Sequence, residues 1–176
     1  MGEMDETPEN LAKKAVKGDE ECFVKLCDLL KNKLFRTAKG ILNNESLALD
    51  AVSETIFRAY KGIKRLREPK YVETWFIRIV INAANNIYRR QKYEIITETV
   101  PEATYYDNNS EFEFNQMVES LQPKLREIIT LKYYSGYTLN EISAILNIPE
   151  GTVKSRLNKA LNQLRLEASH ECVHEQ

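Results

Sequence analysis

The chain has 176 residues, with 25 Lys and Arg against 26 Asp and Glu, a formal net charge of -1. Apolar residues make up 43% and charged residues 29%, an ordinary globular balance, and no apolar run approaches the roughly 18 residues of a membrane span. The acidic start, Met1 to Glu9, lacks the basic and apolar regions of a secretory signal, and the near-neutral total by itself speaks against a nucleic-acid binder, which carries a basic patch as a rule.

Strand signals are nearly absent and helical periodicity runs almost throughout, so an all-α chain is expected. Thr7-Pro8 starts a first helix, a hydroxyl cap followed by proline at the first helical position. Gly18 stops it, and Asp19 caps the next, with Glu20 and Glu21 in its first turn. Phe23, Leu26, Leu30, Leu34 and Ile41 recur at helical steps in a long amphipathic helix ending near Leu42. Asn43-Asn44 is the next punctuation. A helix from Glu45 to Lys61 follows, with Gly62 beyond its end. Its core stripe is Ala48, Ala51, Val52, Thr55, Ile56 and Ala59, while Leu49, Asp50, Ser53, Glu54, Phe57 and Arg58 lie off it.

After a cationic stretch broken by Pro69, a helix starts near Tyr71. Val72, Trp75, Phe76, Ile79, Val80, Ala83, Ala84 and Ile87 form its core face. A second face carries Arg78, Asn82, Asn85 and Arg89, whose steps of four, three and four bring the side chains out together. The helix is expected to end in Arg89, Arg90 and Lys92, cations suited to the negative end of its dipole. From Tyr93 to Ser120 there are seven acids and no Lys or Arg, with Pro101 and Asp107-Asn108-Asn109-Ser110 as breakers. This predicts an acidic interdomain linker over 93–110, with a helix resuming near Glu111.

Pro123 opens the next helix, running to about Tyr134, and Gly136 ends it. Thr138-Leu139-Asn140-Glu141 is a capping box, and Asn147-Ile148-Pro149 is a short turn. A helix from Glu150 to about Leu166 buries Val153, Leu157, Ala160, Leu161 and Leu164. The last two helices form a helix-turn-helix.

That motif carries the strongest functional signal. From Glu150 to Arg165 there are four cations and one acid, a local +3, on a helix that also presents Thr152, Lys154, Ser155, Arg156, Asn158 and Lys159. Arg and Asn can read base edges bidentately, while Lys, Ser and Thr can hold phosphates in a major groove. The segment Lys61 to Lys92 holds nine cations and two acids, a local +7, with interleaved aromatics of which Trp75 and Phe76 belong to the core. Cations tracking phosphate and rings stacking bases suit single-stranded nucleic acid. The face with Asp50, Glu54 and Phe57 reads on its own as an exposed helix with one stray aromatic.

Cys22, Cys27 and Cys172 are an odd set expected to stay reduced in a cytosolic protein. His170, Cys172 and His174 lie close together but lack a second half-site, so no metal is expected there. No nucleophile–base pair, phosphate-cradling loop or metal quartet is visible, so neither enzymatic activity nor a cofactor is expected.

Three stretches carry a resemblance. Ala48 to Tyr60 (ALDAVSETIFRAY) resembles a core-binding helix, Glu73 to Arg90 (ETWFIRIVINAANNIYRR) a promoter-melting helix, and Tyr137 to Arg165, with IPEGTVKSRL at 148–157, a promoter-reading helix-turn-helix. In this order they resemble bacterial RNA polymerase sigma factors of the extracytoplasmic-function (ECF) group, within the sigma-70 family. The resemblance implies region 2 over residues 1–92, region 4 over 111–168 and a tail at 169–176, two small helical domains joined by the flexible linker.

It further implies that Leu49, Asp50, Ser53, Glu54 and Phe57 dock on core RNA polymerase, although the family often has an acid at Leu49 and Gln at Ser53. Arg65, Arg67, Lys70, Tyr71, Arg78, Asn82, Asn85, Asn86, Arg89 and Arg90 would engage a melted minus-ten element, the loop capturing an unpaired base. Thr152, Lys154, Ser155, Arg156 and Lys159 would read a double-stranded minus-thirty-five element. An anti-sigma factor, often membrane-bound in the family, is an expected partner. The protein is expected to be cytoplasmic and a monomer when free, serving a stress or envelope response. Two rivals are a one-component regulator with a ligand-sensing N-terminal domain, against which the +7 segment argues, and an adaptor that binds polymerase without reading DNA, against which the cationic last helix argues. The total charge then resolves into parts: residues 1–92 carry +5, residues 93–120 carry -7 and residues 121–176 carry +1.

Overall fold

The backbone is organised by caps that the local sequence supplies. In a computed structural model describing residues 6–97 and 110–171, Thr7 accepts a hydrogen bond from the Asn10 amide at the start of α1 (Pro8–Ala15). Asp19 accepts from the Cys22 amide at the start of α2 (Glu20–Leu42) at 2.9 Å. That amide holds the Asp19 carboxyl below its ordinary range. Asn43 takes a left-handed conformation, φ 47°, and Asn44 caps α3 (Glu45–Gly62) through the Leu47 amide. Each cap satisfies amide donors that a helix start leaves without partners.

Two short 3-10 turns, Ile63–Arg65 and Pro69–Tyr71, lead into α4 (Val72–Thr97). Helices α2, α3 and α4 pack on one another, and α1 lies mainly against α2. Phe76, Leu26, Leu34, Ile41 and Val80 are fully buried at their centre, and Phe76 makes aromatic contacts with Phe23 and Trp75.

The second half comprises α5 (Ser110–Ser120), α6 (Pro123–Ile129) with a π-helical turn at Thr130–Tyr134, α7 (Leu139–Leu146) and α8 (Glu150–Glu171). A smaller core of Val118, Leu121, Leu125, Ile129, Ala160 and Leu164 ties α5, α6 and α8 together. The larger core is continuous across the two halves. It runs from α1 through α4 and takes in Ile128, Leu131, Tyr137, Ile142, Ile145 and Val153. Among the described residues there is no strand.

Four boundaries depart from expectation. Gly62 closes α3 inside the helix, and its following residue stays right-handed. A Cβ there would stand 3.1 Å from Trp75, so this glycine serves helix packing rather than a left-handed stop. Helix α4 does not end at Lys92 but continues to Thr97, so residues 93–97 are helical. No Gly or Pro interrupts that stretch, and helix propagation adds a hydrogen bond per residue. The helix that was expected to reach Tyr134 unbroken widens into the π turn. Helix α8 runs to Glu171 rather than Leu166. In addition, Ile77 and Ile81, absent from the expected core face of α4, are buried. The side chains of His170, Cys172 and His174 fall outside the described residues, as does residues 98–109 of the linker.

The capping box is complete: Thr138 accepts from the Glu141 amide at 3.3 Å and its own amide donates to Glu141 Oε2 at 2.8 Å. Thr138→Ala is expected to cost about 1 kcal/mol, read as a lowered urea midpoint.

Candidate nucleic-acid interface

Helix α8 presents the cationic face foreseen for it. Val153, Ala160 and Leu164 are buried beneath it, while Lys154, Ser155 and Lys159 are exposed and Thr152 and Arg156 are half-buried. Lys154 pairs with Glu150 at 2.8 Å, an exposed contact that DNA phosphate can replace at little cost. Helix α7 is held to the turn before α8 by Ser143 Oγ donating to the Ile148 carbonyl at 2.6 Å, and Asn147 adopts a left-handed C-cap, φ 53°. Short turn, capped first helix and buried stripe fix α8 against α6 and α7, with Lys154, Ser155 and Lys159 exposed.

On α4 the sequence predicts Arg78, Asn82, Asn85 and Arg89 side by side. The structure keeps them on one side of the helix and sets part of that side against the second half. Arg78 Nε donates to the Ile145 carbonyl at 2.7 Å and Nη2 to the Ala144 carbonyl at 2.6 Å. These carbonyls belong to the last turn of α7, where helix acceptors lack intrahelical partners and favour a cation. Asn85 Nδ2 donates to Glu127 Oε1 at 2.7 Å. Burial pushes the Glu127 carboxyl above its ordinary range, while Asn85 and the charges of Arg156, Lys124 and Arg89 pull it back. Asn82 stays exposed in a cleft with Ile81, Ile145 and Asn147, and Asn86 is half-buried.

Arg89 and Arg90 are exposed. Arg65 and Arg67 are exposed in the segment before α4. Tyr71, 54% exposed, has Lys70 Nζ 4.8 Å from its ring centre. That loop therefore offers an open aromatic flanked by cations, the combination suited to an unstacked base. Lys70 also stands 3.6 Å from Glu68.

The α3 face is exposed throughout. Leu49 is 54% and Phe57 53% exposed, beside Asp50, Ser53 and Glu54. Glu54 pairs with Arg58 at 2.6 Å, Ser53 Oγ donates to the Leu49 carbonyl, and Lys61 Nζ lies 3.9 Å from the Phe57 ring centre. Tyr60, three residues from Phe57, is also half exposed, stacks edge-on with Phe23 and donates to Glu20 at 2.9 Å. The i, i+3 spacing of two aromatics off the core stripe was the sequence signal for it.

Sequence reasoning missed Arg126. It is 2% exposed, its Nη2 donates to the Leu121 carbonyl and Tyr88 Oη at 3.0 Å and to the Glu119 carbonyl, and its guanidinium lies 4.1 Å from the Tyr88 ring centre. Among the described residues no group of three His, Cys, Asp or Glu side chains is placed to hold a metal.

The family model for Sigma-70 region 2 matches residues 26–93, and that for Sigma-70 region 4 matches residues 111–164. The chain is 30% identical to the ECF RNA polymerase sigma factor SigW of Bacillus subtilis, over 87% of this chain and 92% of the relative. Its fold is similar to CnrH solved in complex with the cytosolic domain of CnrY, with a TM-score of 0.73 and 20% identity over 94% of this chain and 99% of that one. It is also similar to the sigma factor RpoE of Bartonella quintana, solved with the anti-sigma factor NepR, with a TM-score of 0.60 and 22% identity over 78% and 92% of the two chains. With a curated relative matched at that identity over nearly its whole length, and both region models found in their proper order on the helices just described, the chain belongs to the ECF sigma factors of RNA polymerase.

Proposed function

We propose that this sigma factor divides its work along its two helical halves. Residues 1–92 bind core RNA polymerase and hold the melted minus-ten element, residues 93–110, which open on the last turns of α4, connect the two, and residues 111–168 read the minus-thirty-five duplex. The observation that supports this reading is the exposed cationic face of α8 in a capped helix-turn-helix, in a chain that also carries the region 2 match. Core binding falls to the Leu49–Asp50–Ser53–Glu54–Phe57 face, where an apolar ring sits inside a polar rim. Minus-ten engagement falls to Arg65, Arg67, Lys70 and Tyr71 in the loop and to Arg78, Asn82, Asn85, Asn86, Arg89 and Arg90 on α4. Minus-thirty-five reading falls to Thr152, Lys154, Ser155, Arg156 and Lys159.

Phosphate contacts set register and base contacts choose the promoter. Flipped bases trapped against cations and aromatics offset the cost of unstacking. As a sigma factor the protein is not an enzyme, and the polymerisation chemistry is the polymerase's. An anti-sigma factor is a further partner, by analogy with the relative solved beside one. Among the described residues no helix is long and apolar enough to cross a membrane. We assign the protein to the cytoplasm, where its polymerase partner works.

The test is transcription with purified core polymerase. Addition of this protein should direct initiation from promoters carrying two spaced elements, and failure both to bind core and to direct any initiation would overturn the reading. Arg156→Ala should weaken minus-thirty-five duplex binding by about 1–3 kcal/mol and leave core affinity intact. A loss of core affinity instead would remove Arg156 from the DNA face.

A further inference from the structure

Two clefts open side by side where the end of α4 meets the second half. One, of about 510 Å³, is lined by Tyr88, Lys92 and Tyr93 of α4 and by Gln122 and Pro123 at the start of α6. The other, of about 680 Å³, is lined by Lys124 and Glu127 of α6, Leu146 of α7 and Arg156 of α8. Arg89, Gln122 and Pro123 line both, so the two are continuous. Each has the size of a pocket for a small organic ligand.

The two ends differ in chemistry. At the first, Tyr93 is 71% exposed and Tyr88 is half-buried. The Arg126 guanidinium stands 4.1 Å from the Tyr88 ring centre, and Lys92 Nζ stands 5.7 Å from it. Aromatic surface flanked by cations accepts the face of a nucleobase, whichever base that is. At the second, Arg89, Lys124 and Arg156 come from three different helices and face one acid, Glu127, one oxygen of which already accepts from Asn85 at 2.7 Å. All three charges act on the Glu127 carboxyl, yet among the described residues none of the three cations is taken up in a close ion pair.

Three cations gathered at one place call for several negative charges gathered at one place. A DNA strand spreads its charge at one phosphate per nucleotide, whereas a nucleoside triphosphate carries its charges on adjacent phosphates beside a single base. Guanidinium groups match phosphate oxygens two at a time.

We propose that this double cleft binds a free nucleoside di- or triphosphate, with the base against Tyr93 and Tyr88 and the phosphates on Arg89, Lys124 and Arg156. The nucleotide touches α4 on one side and α6 and α8 on the other, so binding stabilises the fold. Lys92, Tyr93 and Lys124 have no part in the proposed DNA and polymerase faces. The site is therefore tested on the chain alone, and loss of the promoter reading would leave it standing.

Isothermal titration calorimetry of the full-length protein reads it. ATP and GTP are the probes, with AMP, inorganic tripolyphosphate and a short oligothymidine strand for comparison. ATP and GTP should bind one site with similar affinity, because stacking is indifferent to the base. AMP and tripolyphosphate each lack one half of the ligand and should bind at least about fivefold more weakly. Lys124→Ala and Tyr93→Ala remove exposed side chains, and circular dichroism should show both variants folded. Each should weaken ATP at least about fivefold, and saturating ATP should raise the melting temperature of the parent chain more than that of either variant.

If neither ATP nor GTP binds at millimolar concentration, the proposal fails. Tripolyphosphate binding as tightly as ATP would leave a phosphate site without a base, and unaltered ATP affinity in both variants would put the nucleotide elsewhere. Either result overturns the proposal. If oligothymidine binds with a dependence on Lys124 and Tyr93 while ATP does not bind, the cleft is a stretch of strand path. The nucleotide site then falls, and the reading of this protein as a DNA binder is unharmed.

Discussion

Phe57→Ala is expected to weaken binding to core RNA polymerase by at least about 2 kcal/mol, about 30-fold in affinity, while leaving the fold intact. The ring is 53% exposed on α3, so truncating it opens no cavity, and stability should move by no more than about 0.5 kcal/mol. A large ring kept in water gains when a partner covers it, and aromatic anchors near the centre of a patch carry most binding energy. Leu49 adds apolar surface at the same face, and Asp50, Ser53 and Glu54 form a polar rim that excludes water once covered. The Lys61 ammonium over the ring adds a modest cation–π contact, which a partner must preserve or replace. Titration of labelled protein with core polymerase reads the effect. Unchanged affinity with an unchanged melting temperature would remove Phe57 from the interface.

Arg126→Ala is expected to cost about 3 kcal/mol of stability, read as a shifted urea midpoint. The guanidinium fills a site where the Glu119 and Leu121 carbonyls, at the end of α5, have no following helical turn to accept from. It also stacks on Tyr88. Its removal leaves buried acceptors unpaired and a void beneath Tyr88. Arg126→Lys should not rescue, because one ammonium cannot present the planar fork that reaches several acceptors at once. A variant within 1 kcal/mol of the parent, on the scale of a surface substitution, would show that neighbouring groups satisfy those carbonyls without it.

Arg126 also illustrates what could not be read from the chain alone. Beside Leu125 and Ile128 it looks like an ordinary surface cation, and only the meeting of α5, α6 and α4 turns it inward. Ile77 and Ile81 were missed for a related reason. The expected core face of α4 rests on helical spacing alone, whereas burial of Ile77 and Ile81 widens it within a core that continues into the second half. The early end assigned to α4 had a different cause. A run of acids is a statement about charge, and the backbone follows propensity and breakers instead, of which the first after Lys92 is Pro101.

The family itself was legible because its motifs are local: a helix carrying Arg78, Asn82, Asn85 and Arg89 at helical steps, a capped helix-turn-helix, and an aromatic exposed off the stripe of α3. The same holds for the charge. A total of -1 conceals +5 over residues 1–92 and -7 over residues 93–120, and the arithmetic separates them before any fold is known.

What the sequence by itself determined, then, is everything settled within one or two turns of chain. Thr7, Asp19, Asn44 and Thr138 cap helices by contacts three residues away, and the core stripes follow from the helical period. The tertiary structure alone decided which faces those helices turn toward each other. Arg78 finds Ala144 and Ile145, Asn85 finds Glu127, and Gly40 admits Thr130. These partners are separated by some 40 to 90 residues, a distance over which no helical period or capping rule acts. Their pairing is set by shape and by the burial of a shared apolar core.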